Sequence, residues 1–207
     1  CENISKNQRI IMPVSNSGYG IGEKDQFCDE TSPLNPISIY GKTKVRAEEE
    51  ILNREMSISF RLATVFGVSP RMRTDLLVNN FTYIALFKNY LKLYEPHFRR
   101  NYIHLGDIIN GFEFSIKNFE TMKGEIYNLG LSNANLTKEQ LCERIKMQIE
   151  DFNYEIDLEG EDEDKRDYFV SNEKIEKLGF QTEYELDMGI SELINYYQSP
   201  DFKEAKN

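Results

Sequence analysis

The spacing of apolar and polar positions in the first part of the chain predicts strands and helices in alternation. A short β-branched run, Ile10–Val14, predicts a buried strand, and the small polar residues of Ser15–Gly20 predict a turn at its end. A polar loop over 21–36 precedes a predicted helix over 37–54. The apolar positions available for packing in this helix are Val45, Ala47, Ile51 and Leu52, and the glutamates Glu48, Glu49 and Glu50 are expected to face solvent.

A second strand is predicted over 58–67, followed by an amphipathic helix over 75–89. A strand, a helix and a strand in this order indicate a parallel α/β layer. Beyond Tyr94 the predicted elements are shorter: a helix over 107–118, a strand over 126–130, a helix over 137–149 and two short helices within 172–198. The helix at 137 begins with a capping-box sequence, Thr137–Gln140. The acidic stretch Glu159–Asp164 is expected to be a solvated loop.

Composition and charge narrow the class of protein. With 207 residues, 40% of them hydrophobic and 12% aromatic, the chain can bury a core. A formal net charge of -10 argues against a nucleic-acid partner, which requires a basic surface. No run is long and apolar enough to span a bilayer. Cys1, Cys28 and Cys142 have no metal or disulfide spacing, which favours free thiols in a reducing, cytoplasmic compartment.

Tyr40 and Lys44 form the most informative pair in the sequence. Four residues apart on a helix, they place a phenol and an ammonium on one face. A nearby cation favours the phenolate and lowers the pKa of a tyrosine, so that it can deprotonate an alcohol. Ser15 follows the first predicted strand, at the sheet edge where open α/β sheets bind ligands. A hydroxyl there can hydrogen-bond the oxygen that Tyr40 deprotonates.

Five segments in order resemble the extended short-chain dehydrogenase/reductases, and among them the NAD-dependent nucleotide-sugar epimerase/dehydratase family. The segments are Val14–Gly20, Pro33–Lys44, Phe60–Gly67, Arg100–Asp107 and Tyr127–Gly130. The resemblance implies an α/β fold: the C-terminal part of a Rossmann-like parallel sheet over 1–67, and a smaller mixed α/β region over 68–207 that binds the nucleotide sugar. The helix at 75–89 and parts of 100–118 are expected to pack back on the Rossmann region.

The same resemblance implies a role for each matching residue. Tyr40 is the expected base that deprotonates a sugar hydroxyl, usually at C4, Lys44 binds the nicotinamide ribose, and Ser15 positions the reacting oxygen. Thr64 and Val65 are expected beside the nicotinamide of NAD, which is preferred here to NADP. The residues expected to bind the nucleotide diphosphate or the sugar are Ser17, Asn79, Arg71, Arg73, Arg100 and Arg166. For each of the four arginines, an ordinary surface charge is the alternative.

The chain departs from the family pattern in its cofactor fingerprint. A glycine-rich turn between a strand and a helix is absent, and Gly18–Gly22 does not replace it, because a charged loop follows. Together with the first residue, Cys1, this leads us to expect that the chain is the C-terminal part of a longer enzyme. On this reading it does not bind NAD tightly by itself.

A second departure concerns the reaction. Nucleotide-sugar 4,6-dehydratases of the family carry an Asp-Glu pair after the Ser or Thr, whereas this chain has Asn16 and Ser17. Oxidation at C4 by a dehydrogenase or epimerase is therefore favoured over dehydration. Three local segments resemble bacterial GDP-heptose C4 dehydrogenases of surface-polysaccharide pathways: 16–25, Ser69–Arg73 and Lys165–Tyr168.

Three further expectations complete the interpretation. A homodimer through the helices at 37–54 and 75–89 is expected from the family. His97 and His104 are the only histidines, and no carboxylate cluster joins them, so we expect no metal site; His104, in a strand-like run, is expected to be structural. Without a cofactor half, a non-catalytic module for sugar-nucleotide binding or dimerisation remains the alternative to an enzyme.

Overall fold

The computed structural model describes residues 3–23, 26–162 and 164–202. Within these ranges the strands are β1 (Ile10–Ser15), β2 (Phe27–Cys28), β3 (Ser57–Leu62), β4 (Thr64–Phe66), β5 (Tyr90–Tyr94), β6 (Arg99–His104), β7 (Glu125–Leu129), β8 (Asn135–Thr137), β9 (Asn153–Asp157) and β10 (Phe169–Val170). The helices are α1 (Ile39–Leu52), α2 (Leu77–Phe87), α3 (Leu105–Lys117), α4 (Phe119–Met122), α5 (Lys138–Lys146), α6 (Glu173–Glu176) and α7 (Leu186–Tyr197), and a 3-10 turn spans Asn16–Gly18.

A parallel sheet with the strand order β1-β3-β7 carries the first part of the fold. Ile58 and Phe60 of the central strand β3 have no exposed surface, as expected for a parallel strand covered on both faces. Ser15 is the register partner of Leu62, so the last residues of β1 and β3 lie side by side at the carboxyl edge. This parallel sheet confirms the predicted α/β class.

The strand predicted over 58–67 is two strands that belong to different sheets. β3 ends at Leu62, where Ala63 donates its amide to the carbonyl of Leu129 at 2.9 Å. β4 then pairs in parallel with β6, which also pairs antiparallel with β8. The change of partner at Ala63 carries Thr64 and Val65 beyond the end of the β1-β3-β7 sheet.

Two main clusters of buried apolar side chains lie in the described part of the chain. One surrounds the β1-β3-β7 sheet and includes Ile58, Phe60 and Leu129. The other joins β4 to the C-terminal elements and includes Val78, Phe81 and Ala85 of α2. Helix α2 packs chiefly on α5 and α7 and also contacts β4, which lies within 1–67. Ile103 and Ile108 join the sheet cluster. That 75–89 and parts of 100–118 pack back on the Rossmann region therefore stays a prediction.

Glu48 of α1 is buried, contrary to the expectation that all three glutamates face solvent. Its relative exposure is 3%, whereas Glu49 and Glu50 are exposed. Arg61 of β3 donates to both carboxylate oxygens over 2.7 to 3.1 Å, and Ser59 donates to one of them at 2.9 Å. Arg61 is itself buried and needs a counter-charge, which explains why this helical position carries an acid. The pair ties α1 to the centre of the sheet.

The cysteines within the described ranges are buried and free. Burial raises the pKa of the Cys28 thiol, and burial raises the pKa of the Cys142 thiol to about 12. Cys1, the third predicted free thiol, lies outside the described residues. Across the described part of the chain, no helix combines the length and apolar character that a bilayer span requires.

Candidate active site

A cleft of about 1080 Å³ opens at the carboxyl ends of β1 and β3 and beside the first residues of β4. Seven of the residues predicted for the site line it, namely Ser15, Ser17, Tyr40, Thr64, Val65, Arg73 and Arg166. The cleft lining does not include Lys44, Asn79, Arg71 or Arg100. Apart from Lys44, the predicted catalytic and nicotinamide-side residues therefore share one cavity with two of the predicted arginines.

Tyr40 lies in the first turn of α1, with its side chain exposed to the cleft. Ser38 caps the helix by accepting a hydrogen bond from the amide of Gly41 at 3.0 Å. A Cβ at Gly41 would lie 3.0 Å from the carbonyl oxygen of Ser17, so glycine allows the start of α1 to approach the turn after β1. This close approach brings Tyr40 to the same edge of the sheet as Ser15.

Lys44 lies one helical turn after Tyr40 and faces the end of β1. Its Nζ donates to the carbonyl oxygen of Pro13 at 3.2 Å and lies 5.8 Å from the centroid of the Tyr40 ring. The backbone of β1 thus holds the ammonium beside the phenol. Although Lys44 does not line the cleft, this placement fits an electrostatic role toward Tyr40.

Ser15 and Ser17 form a connected pair of hydroxyls at the floor of the cleft. The Oγ of Ser15 accepts from the amide of Ser17 at 3.1 Å and lies 2.7 Å from the Oγ of Ser17. Ser17 is fully buried, and Nη1 of Arg166 donates to its Oγ at 2.5 Å. An arginine distant in sequence therefore reaches the residue next to the predicted catalytic serine.

Arg166 is held in place by Asp164, two residues earlier. Its Nε and Nη2 donate to the two carboxylate oxygens of Asp164 at 2.6 and 2.5 Å. Burial opposes ionisation of Asp164, but the guanidiniums of Arg166 and Arg100 outweigh it and hold the pKa of this carboxyl far below its usual range. Burial likewise opposes the charge of Arg166, whereas Asp164, Tyr168 and Tyr40 together raise its pKa. Arg166 and Tyr40 line the same cleft.

Arg100 lies beneath this segment instead of in the cleft. Its side chain is 3% exposed and donates to backbone carbonyls, among them those of Arg166 and Asp164, while Nη2 lies 3.0 Å from the Asp164 carboxylate. Both terminal nitrogens of the guanidinium are engaged in these contacts, and Arg100 does not line the cavity. Arg100 fixes the loop that carries Arg166, and its contact with the diphosphate stays a prediction.

The side chain of Asn79 likewise hydrogen-bonds to backbone groups. It is buried, accepts from the amide of Gly67 at 3.1 Å and donates to the carbonyl of Arg73 at 2.9 Å. It thereby shapes the turn that presents Arg73 to the cleft. Arg73 forms an exposed ion pair with Asp75, which raises its pKa, and Tyr40 adds to this shift. Arg71 lies on the same turn outside the cavity.

His104 lies outside the cleft and has a structural environment. Its Nδ1 accepts from the amide of Gly106 at the start of α3, its Nε2 lies 2.7 Å from Glu192, and its ring stacks on Tyr184. Among the described residues, no three side chains of the metal-binding types form a group that could hold an ion.

The sequence interpretation missed several lining residues. The acidic stretch was expected to be solvated, yet Asp164 lines the cleft and Asp162 pairs with the buried Lys138 at 2.6 Å; Glu163 lies outside the described residues. The one available signal was the spacing of Asp164 and Arg166, which suits an ion pair within a loop. Ile21 and Ile37, at the two ends of the polar loop, line the cleft as well.

Sequence comparison relates the chain to one family. The sequence model of the NAD dependent epimerase/dehydratase family matches residues 2–130. The dTDP-D-glucose 4,6-dehydratase of Mus musculus is 25% identical over 213 residues, which cover 97% of this chain and 58% of the mouse protein. A putative UDP-glucose 4-epimerase of Methanocaldococcus jannaschii is 27% identical over 200 residues, which cover 91% of this chain and 63% of that protein. The chain thus spans about three fifths of the length of these curated relatives.

Solved structures share the fold. The dTDP-glucose 4,6-dehydratase of Bacillus anthracis, crystallised in complex with NAD, superposes with a TM-score of 0.76 at 23% identity over 92% of this chain and 61% of that chain. The UDP-glucose 4-epimerase of Thermus thermophilus, also complexed with NAD, gives a TM-score of 0.74 at 18% identity over 93% of this chain and 65% of that chain. At these identities the likeness establishes a Rossmann-like fold.

Proposed function

Because the chain belongs to the NAD dependent epimerase/dehydratase family, we propose that it takes part in NAD-dependent oxidation at C4 of a nucleotide-activated sugar, as a dehydrogenase or an epimerase. The observation that carries the proposal is the arrangement of Ser15, Tyr40 and Lys44. Two of these residues line one cleft at the carboxyl edge of the sheet, and Lys44 is held behind Tyr40. A general base and a hydrogen-bonding hydroxyl at this edge suit alcohol oxidation.

The proposed roles follow from the chemistry of each side chain. Tyr40 removes the proton of the sugar hydroxyl, Lys44 stabilises the phenolate form, and Ser15 hydrogen-bonds the reacting oxygen. Thr64 and Val65 line the cleft beside them and fit the nicotinamide end of NAD. When bound, NAD supplies the acceptor for the hydride that leaves the sugar carbon.

We further propose that this chain alone binds NAD weakly. The described residues contain no glycine-rich turn from a strand into a helix, the element that binds the pyrophosphate in dinucleotide-binding folds. Calorimetric titration of NAD onto the 207-residue chain tests the proposal. Weak or undetectable binding is expected, and tight stoichiometric binding would contradict it.

The substrate side of the proposal is a nucleoside diphosphate sugar with a GDP or UDP group. Arg73 and Arg166 offer guanidiniums to the cleft, and guanidiniums suit phosphate oxygens. Asn79 and Arg71 shape and flank the turn that carries Arg73, and Arg100 supports the loop that carries Arg166. A cavity of about 1080 Å³ is large enough for a sugar and part of a nucleotide.

A 4,6-dehydratase is the second candidate, because several of the curated relatives bear that name. Two features of the site argue against it. Asn16 and Ser17 are buried and cannot transfer the protons that elimination of water requires. The carboxylate of Asp164 does line the cleft, but Arg166 and Arg100 keep it ionised, which disfavours a role as acid. Oxidation at C4 without loss of water is therefore the preferred proposal.

Finer assignments extend the same proposal. The resemblance of the segments at 16–25, Ser69–Arg73 and Lys165–Tyr168 to GDP-heptose C4 dehydrogenases supports a role in bacterial surface-polysaccharide biosynthesis. The buried free thiols of Cys28 and Cys142 suit a reducing compartment such as the cytoplasm. NAD is preferred to NADP on the resemblance alone, and a homodimer through α1 and α2 remains a prediction that sedimentation equilibrium can test.

The proposal is tested by incubating the natural protein that carries this sequence with NAD and a panel of GDP-, UDP- and dTDP-sugars. Formation of NADH with a keto sugar indicates a dehydrogenase, a C4 epimer indicates an epimerase, and a 6-deoxy product indicates a dehydratase. The variant Tyr40→Phe should form each of these products about 10²- to 10⁴-fold more slowly. Binding of a sugar nucleotide without turnover would favour a non-catalytic binding module.

A further inference from the structure

A continuous line of hydrogen bonds runs from the loop at 164–166 to Ser15. Asp164 accepts from Arg166, Arg166 donates to the Oγ of Ser17, and Ser17 lies 2.7 Å from the Oγ of Ser15. We propose that Arg166, acting through Ser17, turns the hydroxyl of Ser15 so that its proton points into the cleft as a donor to the reacting oxygen. This inference rests on the proposed function of Ser15, and it makes Ser17 and Arg166 positioning residues.

Arg166 fixes which atoms donate and which accept along this line of hydrogen bonds. A guanidinium carries donors and no acceptor, so the Oγ of Ser17 must accept from Nη1 of Arg166. One lone pair of the Ser17 hydroxyl is thereby used, and its proton needs an acceptor elsewhere. Ser17 has no exposed surface, so solvent does not offer one.

Ser15 supplies that acceptor. The Oγ of Ser15 is the remaining hydrogen-bond partner found for the Ser17 hydroxyl within the described ranges. If Ser15 donated to Ser17 instead, the proton of the buried Ser17 would be left without a partner, which is unfavourable. The Oγ of Ser15 then accepts twice, from the amide and from the hydroxyl of Ser17. Its own proton is free, and Ser15 lines the cleft.

At the Asp164 end, ion pairs hold the line of hydrogen bonds in place. Asp164 engages Nε and Nη2 of Arg166 with a two-point contact, which leaves Nη1 aimed at Ser17. Arg100 in turn anchors Asp164 and the carbonyl of Arg166 from below. Because both guanidiniums keep Asp164 ionised, the two-point contact persists across the neutral pH range.

This orientation separates the roles of the two hydroxyl groups that face the substrate. A donor at Ser15 stabilises negative charge on the substrate oxygen as its proton leaves, and it also suits the ketone that results. The proton of the substrate hydroxyl then has Tyr40 as its acceptor, since Ser15 has no lone pair left to receive it. The line of hydrogen bonds therefore makes Ser15 the donor to the substrate oxygen and Tyr40 the acceptor of the substrate proton.

Neutron diffraction from deuterium-exchanged crystals of the 207-residue chain tests the orientation without requiring activity. The expected map places the deuteron of Ser17 on the line to the Oγ of Ser15, and the deuteron of Ser15 toward the cleft. A deuteron of Ser15 directed at Ser17 would overturn the proposal. The measurement is independent of the reaction, so it decides the orientation even if the proposed function fails.

A double-mutant cycle in the natural protein tests the consequence. Ser17→Ala should lower kcat about tenfold or more with KM changed less than threefold, which is the signature of an interaction made in the transition state. In a Ser15→Ala background the same change should have no further effect, because Ser17 acts through Ser15. Ser191→Ala, a surface hydroxyl on α7, is the matched control. Additive losses of kcat in the double variant, or a rise in KM alone for Ser17→Ala, would contradict the proposal and indicate that Ser17 contacts the substrate directly.

Discussion

The buried ion pair between Glu48 and Arg61 offers the sharpest stability prediction. The substitution Glu48→Gln keeps the size of the side chain but removes the counter-charge of an arginine that is 4% exposed. Removing one partner of a buried pair typically costs about 3 to 5 kcal/mol. The lower end, about 3 kcal/mol, is expected here because the amide oxygen of glutamine still accepts one hydrogen bond from Arg61.

The assay is urea unfolding of the 207-residue chain, followed by circular dichroism and analysed by linear extrapolation. Glu49→Gln, at the exposed neighbouring position on the same helix, is the matched control and should change stability by less than about 0.5 kcal/mol. The double variant Glu48→Leu/Arg61→Met should be more stable than Glu48→Gln, since it leaves no unpaired charge. Coincident unfolding curves for Glu48→Gln and Glu49→Gln would refute the reasoning.

Three further predictions address the site and the fold. Tyr40→Phe should lower kcat by about 10²- to 10⁴-fold while the Kd for the sugar nucleotide, measured by calorimetry, changes little, because the phenol acts on a proton and the ring remains. The folded-state pKa of Asp164 is lowered, so its stabilising contribution is complete above its unfolded pKa and is lost as pH falls below that value. Tm should therefore fall less in Asp164→Asn than in the parent between about pH 5 and about pH 3, the range in which an ordinary carboxyl titrates. Equal slopes of Tm against pH in the two proteins would contradict this. Thr137→Ala should lower the free energy of unfolding, measured in urea, by about 1 kcal/mol, because it removes the cap of α5. Thr31→Ala is the exposed control. An unchanged free energy of unfolding for Thr137→Ala would contradict the capping geometry.

The elements that local pattern governs could be predicted from the sequence. The strand at Ile10, the helix that carries Tyr40 and the capping box at Thr137 depend on neighbouring residues, and the structure contains all three. The strand is recognised from its apolar run, the helix from its apolar positions, and the cap from a four-residue sequence, all of which are local signals.

The features that depend on distant partners could not be predicted in this way. The sequence around Glu48 predicts a solvent-facing position, and only the fold brings Arg61 of β3 opposite it. The strand predicted over 58–67 is divided because Ala63 bonds to Leu129, which lies far along the chain. Arg100 reaches the 164–166 loop only through tertiary contacts, so its place in the sequence gave no sign that it supports Arg166, whereas the spacing of Asp164 and Arg166 was a local signal.

The central claim is that Tyr40 and Ser15 act on a C4 hydroxyl, and a C4-deuterated sugar nucleotide tests it most directly. The natural protein, supplied with NAD and a panel of C4-deuterated GDP-, UDP- and dTDP-sugars, should move the deuterium to the nicotinamide or return it to C4 of the other epimer. Tyr40→Phe should slow both outcomes about 10²- to 10⁴-fold while the sugar nucleotide still binds. Retention of the deuterium with unchanged stereochemistry across the whole panel, despite demonstrated binding of substrate and NAD, would contradict the account.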